Sequence, residues 1–277
     1  MNRLNIGARA HDLSGHSLQD IIDEARKLGL DGLQLAIHKT WEAEWQARDE
    51  DAIVANIHHL QRSGLSLFLL ASYFNPAHSR PDVLARELER VRFTIAVAGK
   101  SGVAAVGSET GSLNDDEWTW HPDNHGETAF STVEQTLSRL RPSLVAHDRH
   151  FLVEAVSDHI IHDAGRLAQL NARLGARFQV TLDLANLLNA DNAARWRDVL
   201  EHFLLTHGGR IRLLHFKNFI LQGGHKVPVG LEEGIIDYAQ VLRTLERFQL
   251  SHIPVVVEEL TGAALADSVG YLRRLSE

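Results

Sequence analysis

Glu154, Asp183, His215 and Glu258 each stand at the end of a short apolar run: FLVEAV, QVTLDLAN, IRLLHFKN and PVVVEEL. About one strand-plus-helix length of chain separates each from the next. Three carboxylates and one imidazole make a hard donor set, mostly oxygen with a single nitrogen. Such a set suits Mn2+, Mg2+, Co2+ or Zn2+, and the residue types do not choose among the four. Taken singly, each residue has a plainer reading. A Glu at a strand end is often a solvated loop residue, Asp183 can cap the turn after it, and His215 can sit in a core. Four such endings on successive runs are what marks a metal site. Glu259 competes with Glu258, since alternation along PVVVEE turns only one of them inward. Glu258 is selected because VVVE ends as the other three runs do.

For these groups to meet, the runs must be parallel strands closed into a barrel, where catalytic groups gather at the carboxyl ends. Eight runs read as strands, beginning at Leu4, Gly32, Leu65, Ala104, Phe151, Phe178, Ile211 and Pro254. Between them, apolar residues at spacings of three and four mark helices over 18–29, 51–64, 83–99, 128–148, 164–175, 193–209, 238–248 and 264–276. Ser17 followed by Asp20 is a capping-box variant that opens the first helix, and Gly29 ends it. Eight such units predict an α/β fold, a (β/α)8 barrel occupying 1–277 as one domain. A doubly wound sheet would need a glycine-rich phosphate loop after the first strand, and the sequence has none. The longest irregular segment, SLNDDEWTWHPDNHGE over 112–127, follows strand four. It reads as a lid over the mouth or as a variable surface loop.

Composition narrows the partners. The chain of 277 residues is 44% hydrophobic, enough for a sizeable core, and its formal charge is −8. That balance opposes a nucleic-acid or anionic-membrane partner, which would call for clustered Lys and Arg. There is no cysteine, so disulfides and thiolate metal sites are excluded. The start, MNRLNIGARAHDL, lacks the apolar core of a signal peptide, and no stretch approaches the roughly 20 apolar residues of a membrane helix. The expected location is cytoplasmic. Of the 17 histidines, His58, His59, His147, His150, His202 and His207 lie in polar stretches and read as surface groups.

The whole chain resembles the xylose-isomerase-like barrel superfamily of sugar isomerases and sugar-phosphate isomerase/epimerases. The resemblance rests on FLVEAV, TLDLANLLN, LLHFKN and VVVEE, supported by ASYFNPAH, GSETGS and VPVGLEEGIIDY. Their order and spacing carry it, since no single motif is specific. It implies one divalent metal held by Glu154, Asp183, His215 and Glu258, with Glu154 and Glu258 also serving as the acid/base pair. It also implies a homodimer. Two departures stand out. Asn186 replaces a His common three residues after the strand-six Asp, and HFKN replaces the common HxKD, with Asn218 in the last place. A three-zinc nuclease of the superfamily needs further His and Asp ligands. Asn186 takes one such place and Lys226 another.

Other residues are candidates for substrate contact. His159 follows strand five and is equally a capping or surface group. Tyr73 and Asn75 in ASYFNPAH either line the mouth or make a turn, which NP favours. Glu109 follows strand four and either binds a hydroxyl or has a structural role. Asn186 can donate to a substrate hydroxyl. Lys217 shares the inward parity of His215, and Lys226 lies in the loop GGHKVPVG. Trp118 and Trp120 either stack on a sugar or cover the barrel top. Arg and Lys are scattered, so a free sugar, polyol or keto-acid is as good a fit as a sugar phosphate.

The leading expectation is a metal-dependent sugar isomerase or epimerase. It would move a proton next to a carbonyl through an enediolate. The alternatives are a metal-dependent dehydratase, lyase or hydrolase on a polyol or related substrate, and a non-catalytic ligand-binding barrel.

Overall fold

Eight parallel strands close into a barrel in this computed structural model, which describes residues 3–15 and 17–276. The strands are β1 (Ile6–Arg9), β2 (Gly32–Leu35), β3 (Ser66–Ala71), β4 (Ala105–Glu109) and β5 (His150–Glu154). After them come β6 (Phe178–Asp183), β7 (Ile211–Phe216), β8 (Asn218–Gln222), β9 (His225–Val229) and β10 (Val255–Val257). β1 to β7 pair in chain order, and β10 closes the ring between β7 and β1. The eight strands expected from sequence are these eight, and the barrel is a single domain.

Helices pack around the ring, and most follow the expected apolar spacing. Ser17 and Asp20 form a reciprocal capping box ahead of Leu18–Lys27. The expected helix over 128–148 is two helices, Glu127–Ser138 and Arg141–Ala146. Pro142 causes the break: it lacks an N–H and fits only the first turn of a helix. Two short helices, Ile37–Thr40 and Glu42–Ala47, were not expected, and the first takes over the end of the second predicted strand. A further addition is the antiparallel hairpin β8–β9, which occupies the stretch read as a loop around Lys226. Its turn is Gly223–Gly224, both at positive φ (58° and 85°), which a tight hairpin turn requires.

Alternation along the strands layers the barrel interior. Leu69, Ala105, Leu152, Leu213 and Val256 form one buried apolar cluster, with the Phe68 ring against it. Gly7 and Gly32 leave room for that ring, since a Cβ at either would come within 2.8 or 2.6 Å of it. Burying each large side chain of this floor is worth about 1.5–3 kcal/mol, which keeps it dry. Two residues beyond Leu152, Leu213 and Val256, on the same face, stand Glu154, His215 and Glu258. Arg9 and Gln34 bear the same relation to Gly7 and Gly32. Among the described residues, no helix is long and apolar enough to cross a membrane.

Candidate metal centre at the barrel mouth

Glu154, Asp183 and His215 each offer a ligand atom, and these atoms lie within 4.8 Å of one another. All three residues are buried, as is Glu258. His215 Nδ1 lies 2.9 Å from Glu154 Oε2 and 3.3 Å from Glu258 Oε1. Backbone register explains the convergence: Asp183 pairs with His215, and Val256, two residues before Glu258, also pairs with His215. Glu259 turns outward with φ at 59° and 42% of its side chain exposed. Asp183 does two jobs. Its Oδ1 caps the short helix Leu184–Leu187 by accepting from the Asn186 N–H at 3.0 Å, and its Oδ2 is left for the pocket.

The electrostatics are those of a crowded acid cluster. Burial opposes the charge on His215, but Glu258 and Glu154 outweigh it and lift the imidazole to about 9. Burial works to raise the Glu154 carboxyl, and His215 overcomes it, so Glu154 is lowered. Asp183 is pushed up to about 6, chiefly by burial and against the pull of Lys217. Lys217 threads the cluster with Nζ 3.3 Å from Asp183, 4.0 Å from Glu258 and 2.7 Å from Glu259. Burial disfavours its charge, yet those acids hold it well above the ordinary lysine value.

A metal fits this donor set. Asp183 Oδ2 and His215 Nδ1 are buried with no directed hydrogen bond, although charged neighbours stand within 3.3 Å of each. With Glu154 these residues offer ligand atoms within 4.8 Å of one another, and a cation among them would meet oxygen, oxygen and nitrogen. In the metal-free protein the excess negative charge is balanced by a proton on His215. With an unfolded value near 6.5 and a folded value of about 9, that stabilisation is complete below pH 6.5 and is lost as pH rises through about 9. A bound cation must displace this proton. Its apparent affinity is therefore expected to rise with pH up to about 9, with close to one proton released per ion near pH 7. Titration calorimetry in buffers of different ionisation enthalpy measures the proton count. A pH-independent affinity would contradict the arrangement.

The remaining sequence candidates divide. Tyr73 OH accepts from Gln34 at 3.0 Å beside the cluster. Glu109 stands level with Glu154 in register, and burial and the Glu154 charge push its carboxyl up to about 8. Its side chain keeps 26% exposure, so solvent screens part of that shift. His159 is buried, with Nδ1 3.6 Å from Glu109 Oε2, and burial lowers its imidazole to about 4. It is therefore a neutral group at neutral pH. Asn186 donates to Glu154 Oε1 at 2.5 Å, so its amide orients a carboxylate. Lys226 sits on β9, where its Nζ donates to the Ala185 carbonyl at 2.8 Å and ties the hairpin to the turn after β6.

Asn75 makes the turn, the second of its two readings. Its Nδ2 donates to the Ser112 and Asp115 carbonyls at 2.6 and 2.7 Å, and its Oδ1 accepts from the Ala77 N–H at 3.0 Å. It pins the loop after β3 to the irregular segment after β4. Asn75→Ala is expected to cost about 1–3 kcal/mol of stability through unpaired buried groups, with metal affinity unchanged. Thermal melts and metal titration check the two halves. The irregular segment lies on the barrel top: Asn124 Nδ2 donates to the Asp158 carbonyl at 2.7 Å. The Trp118 ring meets the edge of His159 at 6.0 Å, whereas Trp120 is 51% exposed.

Two groups at the mouth escaped the sequence reading. Arg9 ends β1, paired with Asp12 at 2.6 Å, and Gln34 in β2 touches two members of the cluster. For Arg9 the same sign was there to be read, a polar residue closing a short apolar strand, whereas Gln34 stands inside its strand, one residue before the end. The signal was weaker because neither side chain suits a metal.

A family model described as a xylose isomerase-like TIM barrel matches residues 22–275. Solved structures share the fold. One is a D-tagatose 3-epimerase-like protein: 14% identity, 98% of this chain and 97% of that one covered, TM-score 0.76. Another is a 3-keto-D-glucoside 4-epimerase from E. coli: 13% identity, 98% and 100% covered, TM-score 0.70. A third is endonuclease IV from Thermus thermophilus: 16% identity, 98% and 97% covered, TM-score 0.68. A dehydratase and barrels solved with magnesium and with zinc have the same architecture. No curated protein matches the chain in sequence. At these identities the likeness shows the fold and leaves the reaction open.

Proposed function

The chain belongs to the xylose isomerase-like TIM barrel family, and from that premise we propose that it is a divalent-metal-dependent isomerase or epimerase of a carbohydrate-type substrate. The observation that carries the reading is the position of His215 Nδ1, 2.9 Å from Glu154 and 3.3 Å from Glu258. Two buried carboxylates thus converge on one point at the mouth, alongside Asp183. Glu154, Asp183, His215 and Glu258 would hold the ion, which supplies Lewis-acid polarisation of substrate oxygens when bound. Of the two glutamates, one removes the proton next to the carbonyl and the other returns it. Asn186 holds Glu154 Oε1 and Gln34 holds Glu258 Oε1, while Glu154 Oε2 faces His215 Nδ1 and Glu258 Oε2 lies 4.0 Å from Lys217 Nζ. Tyr73, Glu109, His159 and Lys217 form the polar wall that positions hydroxyls. The endonuclease reading has less support, because the formal charge is −8 and Asn186 and Lys226 stand at two places where further ligands would be needed.

Metal addition to chelator-treated protein is expected to stabilise the fold by about 2.7 kcal/mol at a hundredfold excess over Kd. For a chain of this size that is a rise in Tm of roughly 5–10 °C. Absence of any shift with Mn2+, Mg2+, Co2+ and Zn2+ would remove the metal from the proposal. The reaction itself is tested by incubating ketoses, polyols and their phosphates in deuterated water with each metal. Exchange of a carbon-bound proton is expected. Loss of water from the substrate would point to a dehydratase, and binding with neither change would overturn catalysis.

A further inference from the structure

We propose that Gln34 is the positioning residue that presents His215 Nδ1 to the metal and aligns Glu258 beside it. This rests on the metal reading above for its purpose, though its geometry stands apart from it. Gln34 is fully buried on β2, far in sequence from the groups it touches. His215 Nε2 and Gln34 Oε1 lie 2.8 Å apart. Gln34 Nε2 donates to Glu258 Oε1 at 3.1 Å and to Tyr73 OH at 3.0 Å.

These contacts fix each other's polarity. A carboxylate can only accept, so the atom of Gln34 facing Glu258 must be the amide nitrogen. The atom facing His215 is then the carbonyl oxygen, and the imidazole must donate to it from Nε2. Turning the amide over would set an oxygen against a carboxylate and leave Nε2 without an acceptor. With its hydrogen held on Nε2, His215 has Nδ1 as the nitrogen that can bind a cation, and Nδ1 is the one facing Glu154 and Glu258. One amide therefore selects the ligating nitrogen, sets the ring plane and holds a second carboxylate at the pocket. Outer groups that orient a metal-bound imidazole typically change metal affinity by about 10–100-fold when removed.

Gln34→Met keeps side-chain length and bulk but removes all three bonds. It is expected to weaken metal binding by about 10–100-fold in titration calorimetry while the far-UV spectrum and oligomeric mass stay as in the parent. Gln34→Glu restores an acceptor for His215 but gives up donation to Glu258 and Tyr73. Nuclear magnetic resonance of metal-free protein supplies a readout that needs no metal. A slowly exchanging His215 Nε2 proton with cross-peaks to the Gln34 side-chain amide is expected in the parent; the protected proton alone is retained in Gln34→Glu, and it is lost in Gln34→Met. Equal metal affinity in parent and Gln34→Met overturns the proposal, as does a parent spectrum without those cross-peaks. A parent that binds no metal but shows the protected proton would sink the metal reading and leave the grip of Gln34 on His215 standing.

Discussion

Glu154→Gln is expected to lower turnover by about 10²–10⁴-fold, the usual worth of a positioned acid or base, with the fold retained. The glutamine is nearly the same size and leaves the apolar layer below it, with Leu152, undisturbed. What changes is charge. His215 Nδ1 loses its neighbour at 2.9 Å, and the Asn186 amide, now facing Glu154 Oε1 at 2.5 Å, meets either an amide oxygen or an amide nitrogen. The variant should therefore bind metal more weakly as well. Saturating metal separates the two effects: if full activity returns, Glu154 is a ligand and not the base. Unaltered deuterium exchange at any metal concentration would remove it from the mechanism.

Lys217→Met is expected to destabilise the metal-free protein by about 3–5 kcal/mol, the cost of stripping one partner from a buried ion pair. Against a typical total of about 5–15 kcal/mol this is a large fraction. Lys217 is the one lysine that reaches three of the acids, with Nζ 3.3 Å from Asp183, 4.0 Å from Glu258 and 2.7 Å from Glu259. Its removal leaves Asp183, Glu154 and Glu258 clustered around His215, with Arg9 as a further positive charge acting on Glu258. The loss should be smaller at pH 5 than at pH 8. Burial raises Asp183 to about 6 even against the pull of Lys217, so without that lysine it stands higher still, and its penalty grows as pH rises from about 4 through 6 and beyond. Added metal supplies the missing charge and should recover most of the stability, with affinity above that of the parent because a competing cation has gone. Urea melts at the two pH values, with and without metal, measure all of this. An unchanged metal-free stability, or weaker metal binding, would show that Lys217 does not neutralise the cluster.

Much of the barrel was legible because burial on both faces writes itself into the chain. FLVEA is apolar up to its glutamate, and FQVTLD and IRLLHF carry an apolar residue at half or more of their positions, which suits strands covered inside and out. The parity argument that only one of Glu258 and Glu259 turns inward follows from the same pleat, and the two side chains do point apart, one buried and one 42% exposed. The hairpin β8–β9 was missed, although Gly223–Gly224 between two short runs is a turn signal. The eight-unit pattern has no place for a further strand pair between the seventh and eighth strands, so that stretch reads as a loop. Because β9 is an edge strand, its Pro228 is tolerated. The helix over 128–148 was drawn too long because apolar spacing continues across Pro142, while the backbone hydrogen bonds cannot.

By itself the sequence determined a ring of eight strands and the Glu, Asp and His residues at or beside the ends of four of them, because period-two alternation and apolar runs are local properties of the chain. Which way the amides and ammonium groups turn at the mouth was settled only by the tertiary structure. Asn75 is taken up by the backbone of a neighbouring loop, Asn186 by Glu154, Lys226 by Ala185, and Gln34 by His215 and Glu258. The physical reason is that a buried polar group must find a partner, and in a closed barrel that partner comes from another strand or loop, at separations no local pattern encodes.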